Sequence, residues 1–210
     1  MNSRTTPPGP PAAVAGRSEA PLLNIANALT VVRLVLVPVF IWLMLRSGDA
    51  VRLAAALVFA LAAATDRLDG QLARSRNLVT SFGKIADPIA DKALTLSAFV
   101  LLSVAGRLWW WVTVLIIVRE LGITLMRFVM LRRAVMAASR GGKLKTALQV
   151  TGIFGLLVPW AAFVPPVLAT ALDLAAYALV GSALVVTLVT GADYVLEALR
   201  LSRADPGGRP

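Results

Sequence analysis

Four aspartates stand at helical spacings in a chain that is otherwise mostly apolar. Asp66 and Asp69 lie within Asp66-Arg67-Leu68-Asp69-Gly70-Gln71-Leu72-Ala73-Arg74, and Asp87 and Asp91 within Gly83-Lys84-Ile85-Ala86-Asp87-Pro88-Ile89-Ala90-Asp91. Carboxylates in apolar surroundings carry a large desolvation cost unless they are paired or ligated. Asp66 and Asp69 are three apart and Asp87 and Asp91 four apart, so each pair shares one face of a helix. Two such pairs turned toward each other make a cage of hard oxygen donors, which is a divalent metal site. Two divalent ions about 3.5–4 Å apart are a recurrent device for phosphoryl transfer, neutralising phosphate charge and stabilising a developing alkoxide.

The rest of the composition narrows that chemistry. The chain has no histidine and no cysteine, which removes the usual zinc ligands and the usual general base. Oxygen ligation points to magnesium or manganese, and any proton transfer falls to Asp, Glu, Lys, Arg or Tyr. Gly70 and Gly83 would let a ligand approach the helix backbone closely. Arg74, four residues after Gly70, would rise from the same face toward a phosphate. Pro88 would kink the third span at the site. The alternative, that the aspartates merely pair with Arg67 and Lys92, is disfavoured because adjacent helical residues point about 100° apart.

These pairs need rigid elements, and the chain supplies apolar ones. Its 210 residues are 58% hydrophobic with a mean hydropathy of +0.79, against about 45–50% apolar for a soluble domain. The fold class expected is an all-α integral membrane protein, a bundle of six transmembrane helices. Six apolar stretches approach the roughly 20 residues needed to cross a bilayer: Leu29–Leu45, Val51–Ala73, Ser81–Ala105, Trp109–Arg132, Lys145–Val164 and Val167–Leu199. Pro21–Ala28 is expected as a short interfacial segment before the first. Residues 1–21 read as a disordered cytoplasmic tail, 22–201 as one membrane domain and 202–210 as a flexible cytoplasmic tail. The hairpin Arg74–Gly83 would bring the two aspartate pairs together.

The net charge of +10 reads as membrane topology rather than nucleic-acid binding, because the basic residues sit in short connections and at helix ends. With six spans, the Arg67–Lys84 and Arg132–Lys145 connections share a side with both termini, while the other side holds Arg46, Arg52 and Arg107. The termini and the aspartate mouth are therefore expected to be cytoplasmic, in a multi-pass protein of the cell membrane. Trp109, Trp110, Trp111 and Trp160 fit an aromatic belt on the opposite face. Asp173, Asp193 and Glu197 belong to no motif and read as loop or helix-end residues. No internal repeat is evident, which weakens a transporter reading. A divalent cation transporter also leaves Gly70 and Arg74 without a task.

The pattern Asp66-x-x-Asp69-Gly70-x-x-Ala73-Arg74, then Gly83-x-x-x-Asp87-x-x-x-Asp91, resembles the full signature of the CDP-alcohol phosphatidyltransferase family. The resemblance implies transfer of a phosphatidyl group from a CDP-linked lipid to an alcohol, with release of CMP. It implies that Asp66, Asp69, Asp87 and Asp91 ligate two divalent cations, Mg2+ or Mn2+, and that Asp91 is also the base for the acceptor hydroxyl. Gly70, Arg74 and Thr80 would contact the cytidine nucleotide. A homodimer is likewise implied.

Three further segments resemble the phosphatidylglycerophosphate synthase branch of that family. They are Asn24–Arg33, Val118-Arg119-Glu120-Leu121-Gly122, and Ala138–Gln149. In the first, Asn27 and Thr30 are expected at the CDP-lipid. The branch implies CDP-diacylglycerol and glycerol 3-phosphate as substrates within a membrane of other lipids. A dianionic acceptor needs several cations, and Arg119, Arg127, Lys143 and Lys145 are the candidates. Arg119 lies well inside an apolar span, where a charge is a functional candidate by default; its alternative is a buried pair with a carboxylate elsewhere. Glu120, being adjacent, is not its expected facing partner and is read as a brace for another basic group. For Lys143 and Lys145 the alternative is topology or attraction to anionic headgroups. Cardiolipin synthase and phosphatidylinositol phosphate synthase chemistry remain the related alternatives.

Overall fold

Prolines and glycines set where the helices stop. The computed structural model describes the backbone of residues 25–75, 81–130 and 140–204, and the side chains of 28–66, 89–125 and 144–192. Six α-helices run in chain order: α1 (Ile25–Met44), α2 (Asp49–Ser75), α3 (Ser81–Val104), α4 (Trp110–Met130), α5 (Arg140–Leu157) and α6 (Pro166–Ala204). No strand occurs among the described residues. Each expected apolar stretch coincides with one helix, with two instructive differences.

The first is at the start of α1. Ile25–Ala28, expected in a separate surface segment, form the opening of α1 itself, since no Gly or Pro interrupts the run into Leu29. Residues 21–24 lie outside the described residues. The second is at the end of α5, which stops at Leu157 rather than Val164. Pro159 lacks an amide proton and biases Val158 away from helical geometry, so a 3₁₀ turn, Trp160–Ala162, follows. The Trp160 Nε1–H donates to Gly155 O at 2.8 Å and ties that turn back to α5. Pro166 then opens α6 at the position where its missing N–H is unneeded, and Ala169 N–H donates to Pro165 O at 3.0 Å.

α3 ends in a Schellman motif. Gly106 adopts φ 68°, its N–H donates to Ser103 O at 3.0 Å, and Arg107 N–H donates to Leu102 O at 2.9 Å. A left-handed residue at that place costs glycine no Cβ clash. The reversal aims Arg107 at α6, where Nη2 meets Asp173 Oδ1 at 2.7 Å.

α1 packs chiefly on α2, and α5 on α6. The α5–α6 contact needs small residues: a Cβ on Gly155 would stand 2.7 Å from Ala176 Cβ, and one on Gly152 2.8 Å from Val180 Cγ2. Such close backbone approach is how helices associate where lipid removes the hydrophobic drive between them. Phe40, Phe59, Phe99, Leu102, Ile153 and Leu156 fill the interior, with the Phe40 and Phe59 rings 5.7 Å apart.

The bundle is apolar on the outside and charged within. Val35, Leu61, Val118, Leu125 and Val185 are exposed, while Arg33, Glu120, Lys145 and Gln149 are buried. An exterior of that kind marks a membrane or partner surface. Among the described residues, Pro166–Ala192 of α6 is long and apolar enough to cross a membrane, and Ala28–Met44 and Leu144–Leu157 are shorter apolar stretches.

Candidate active site

Asp66 and Asp91 line one cleft. Helical spacing supplies its walls: Ala63 and Asp66 from α2; Asp91, Leu94 and Thr95 from α3; Thr146 and Val150 from α5; and Arg33 from α1. Arg33 is carried inward by the register of α1, whose buried stripe runs Thr30, Arg33, Val37, Phe40 at the 3–4 spacing of one helix face. Its Nη1 meets Asp66 Oδ1 at 2.8 Å, with Arg33 fully buried and the Asp66 side chain 36% exposed. The guanidinium offsets the desolvation of the carboxylate and fixes its orientation. A carboxylate has about four lone-pair sites, so this pair does not exhaust the ligating capacity of Asp66. On α3, Thr95 Oγ1 donates to Asp91 O at 2.9 Å, a back-bond one turn along the helix.

Beside the cleft lies a second charged group, centred on Glu120. This carboxylate is only 4% exposed and receives Lys92 from α3 and Lys145 from α5. Arg119 Nη1 reaches its Oε1 at 3.1 Å. The same guanidinium donates through Nε to Thr187 O at 2.9 Å and through Nη2 to Thr190 Oγ1 at 2.7 Å, both on α6. Gly191 makes room, since a Cβ there would stand 3.3 Å from Arg119 Cγ and Nε. Arg119 therefore braces α4 against α6 as well as meeting Glu120. Burying a carboxylate this deeply is tolerable only with such partners.

The helices hold some expected residues together and leave others outside the description. Asp66 and Asp91 share the cleft, and Lys145 and Arg119 share Glu120. Thr30 is buried one turn before Arg33. Asn27, Asp69, Gly70, Arg74, Asp87, Arg127 and Lys143 lie on described helical backbone but outside the described side chains, as does Pro88; Thr80 lies outside the described residues altogether. α2 is continuous through Ser75 and α3 from Ser81, so the helical spacing on which both aspartate pairs depend is met. Among the described residues no three acidic side chains converge; Asp66 and Asp91 are the described members of the set of four. Two carboxylates and two threonines around one cleft, in a chain without Cys or His, fit a hard divalent cation.

Sequence reading missed two participants and misjudged one contact. Arg33 is an arginine inside an apolar run, the signal already applied to Arg119, and Lys92 was considered only against Asp91. Glu120 does meet adjacent Arg119, because the long guanidinium stem curls back across the intervening 100° or so. The expectation that Glu120 braces other basic groups matches its contacts with Lys92 and Lys145.

Comparison with known proteins gives the family of the chain. The chain is 48% identical over 190 residues to the probable phosphatidylglycerophosphate synthase of Mycobacterium tuberculosis, covering 89% of this chain and 86% of the relative. It is 37% identical over 150 residues to the CDP-diacylglycerol–glycerol-3-phosphate 3-phosphatidyltransferase of Bacillus subtilis, covering 65% and 78%. The protein of that name from Escherichia coli K12 is 39% identical over 140 residues, covering 64% and 76%. Residues 23–192, which contain both aspartate pairs and the Glu120 group, match the CDP-alcohol phosphatidyltransferase family, and the chain belongs to it.

Proposed function

We propose that this protein transfers the phosphatidyl group of CDP-diacylglycerol to glycerol 3-phosphate, giving phosphatidylglycerophosphate and CMP. The observation that carries this reading is the cleft that Asp66 and Asp91 share, lined by the buried Arg33 and neighboured by the buried Lys145. The names of the relatives support the same donor and acceptor.

In this reading residues 22–201 form one membrane domain of six spans, between cytoplasmic tails at 1–21 and 202–210. The apolar exterior supports that placement, and the basic connections at the aspartate end support a cytoplasmic active site. The enzyme works as a homodimer, as the family resemblance implies. Acyl chains of the donor lie in the bilayer, and the nucleotide rests against Asn27, Thr30, Gly70, Arg74 and Thr80. Arg119, Arg127, Lys143 and Lys145 receive the acceptor phosphate.

Asp66, Asp69, Asp87 and Asp91 would hold two magnesium or manganese ions, which when bound neutralise pyrophosphate charge and lower the pKa of the acceptor hydroxyl. Asp91 takes the proton of the primary hydroxyl of glycerol 3-phosphate. The freed oxygen bonds to the phosphatidyl phosphorus, the phosphoanhydride bond breaks, and CMP departs with its electron pair. Arg33 keeps the Asp66 carboxylate aimed into the cleft.

Purified protein incubated with CDP-diacylglycerol and, in turn, glycerol 3-phosphate, phosphatidylglycerol and inositol phosphate tests the assignment. CMP release stimulated by glycerol 3-phosphate is the expected result. Stimulation only by another acceptor would overturn it in favour of that acceptor.

A further inference from the structure

We propose that Arg52 and Arg107 form a binding site for the phosphodiester of an anionic membrane phospholipid, at the end of the bundle opposite the aspartate cleft. This rests on the reading that the bundle spans a bilayer, and is independent of which alcohol is the acceptor.

Depth is the first ground. α1 ends at Met44, α2 begins at Asp49, α3 ends at Val104 and α4 begins at Trp110, so these helix ends share one end of the bundle. All five tryptophans of the chain fall near it, Trp42, Trp109, Trp110, Trp111 and Trp160. Indole rings gather at the level of the headgroups, which is where lipid phosphates lie.

Residue type is the second. The basic residues of this end are Arg46, Arg52 and Arg107, arginines in each case. A guanidinium presents a planar fork of donors that matches two phosphate oxygens at once. Arg46 is stacked over the Trp42 ring at 4.8 Å. Arg52 instead continues the buried face of α2, in register with Ala55, Ala56 and Phe59. Topology alone does not call for a cation on an inward face, since an outward one would serve as well. The acids at this end are Asp49 and Asp173, so positive charge outweighs negative and an anionic headgroup is favoured.

Unmet donors are the third. Arg107 gives Nη2 to Asp173 Oδ1 at 2.7 Å, but its Nε is buried and meets no acceptor, as is Arg52 Nη2. The two guanidiniums lie within electrostatic reach of each other, and like charges in a partly buried place repel. Asp49 is also within reach of Arg52, yet it is exposed, where water weakens its pull. An anionic oxygen shared by both guanidiniums would relieve the repulsion and satisfy the covered N–H groups. Both side chains are part-exposed, so a headgroup has an open edge to approach, and rotation of the long stems turns the covered donors to it. The Tyr177 Oη–H bond to Arg107 O at 2.7 Å holds the turn that presents Arg107. Leu45, Val104 and Trp109 are exposed at the same end and offer apolar surface to acyl chains, which a free anion would not use.

The test uses detergent-purified full-length protein with Arg52→Gln and Arg52→Lys substitutions. Melting temperature is followed as phosphatidylglycerol or phosphatidylcholine is titrated into the micelles, and as inorganic phosphate is added without lipid. Phosphatidylglycerol is expected to stabilise the wild type at a lower mole fraction than phosphatidylcholine. Loss of one charge-assisted contact corresponds to about a tenfold change in affinity. The half-stabilising mole fraction of phosphatidylglycerol should therefore rise about that far in Arg52→Gln, with Arg52→Lys in between. CMP release should stay at the wild-type rate in both variants, because Arg52 does not line the cleft. That pattern separates this site from any lipid bound at the aspartates. Should Arg52→Gln fail to fold, Arg52→Lys decides, since it keeps the charge and loses the fork. No stabilisation of the wild type by phosphatidylglycerol, or a titration unchanged in the Arg52 variants, would overturn the proposal. Equal stabilisation by phosphatidylcholine or by inorganic phosphate would overturn it too, the first against an anionic headgroup and the second against a lipid.

Discussion

The two ends of the bundle use charge in opposite ways. At the Gly106 turn, one cation meets one carboxylate, Arg107 to Asp173 at 2.7 Å, each about 30% exposed. Tyr177 Oη–H donates to Arg107 O at 2.7 Å, and the Trp109 and Tyr177 rings lie 5.7 Å apart. Partners there balance, and the contacts link the α3–α4 turn to α6. At the Asp66 end the described contacts are shared rather than one to one: Lys92, Arg119 and Lys145 all meet Glu120, and a fully buried arginine faces a carboxylate that keeps solvent contact. The exposed pair at the Gly106 turn ties elements together, whereas the Asp66 end buries its charges beside the proposed active site.

The largest effect is expected from Asp91→Asn. It keeps the size of the side chain and its place beside Thr95 but removes the proposed base. General-base loss lowers turnover by about 10²–10⁴-fold, and thermal unfolding should change little. An Asp91→Asn protein that folds and turns over normally would remove Asp91 from the proton step and weaken the contrast between the ends.

Arg33→Met comes next and probes whether charge at this end also holds structure. The substitution removes the 2.8 Å ion pair to Asp66 while keeping much of the apolar volume on the buried stripe of α1. The contact is an ion pair with one partly exposed member, and such pairs are worth about 0–1 kcal/mol, with the upper part of that range apt because Arg33 is fully buried. Both melting temperature and turnover are expected to fall. Arg33→Lys should recover part of the stability, since an ammonium keeps the charge without the planar fork of donors. Full turnover in Arg33→Met would mean that the cleft does not need Asp66 oriented.

How much of this was legible in the sequence depends on how local each feature is. The helical backbone beneath both aspartate pairs was legible, because three- and four-residue spacings suit a helix and α2 and α3 run through them. The six helices were legible because apolar runs of bilayer length announce them. Apolar counting failed at Leu157, since Pro159–Val164 is apolar yet begins with a residue that cannot donate to the helix. The Arg33–Asp66 pair joins residues 33 and 66 on separate helices, and no local period reports it. The Glu120 group needs the mutual rotation of α3, α4 and α5, which the chain settles only by packing. Arg107–Asp173 is equally non-local, so Asp173 read as a residue without a motif and acquires its role from the turn at Gly106.

The smallest effect is expected at that last pair, where it tests the architectural half of the contrast. Ion pairs with substantial exposure are worth about 0–1 kcal/mol, because water competes for both partners and two side chains must be held still. A double-mutant cycle on Arg107→Ala and Asp173→Ala, read by thermal unfolding in detergent, should give a coupling within that range. Each single variant should retain wild-type turnover and wild-type KM values, since neither side chain lines the cleft. The pair tethers the start of α4 through the Gly106 turn to α6, and Arg119 and Glu120 ride on that same α4, with Arg119 bonded to α6 lower down. Two tethers along one helix pair make the upper one partly redundant, which is why its loss should register in stability and not in catalysis. A raised KM for glycerol 3-phosphate in Asp173→Ala would show that the upper tether sets the rotation of α4, and the two ends would then have to be treated as one device.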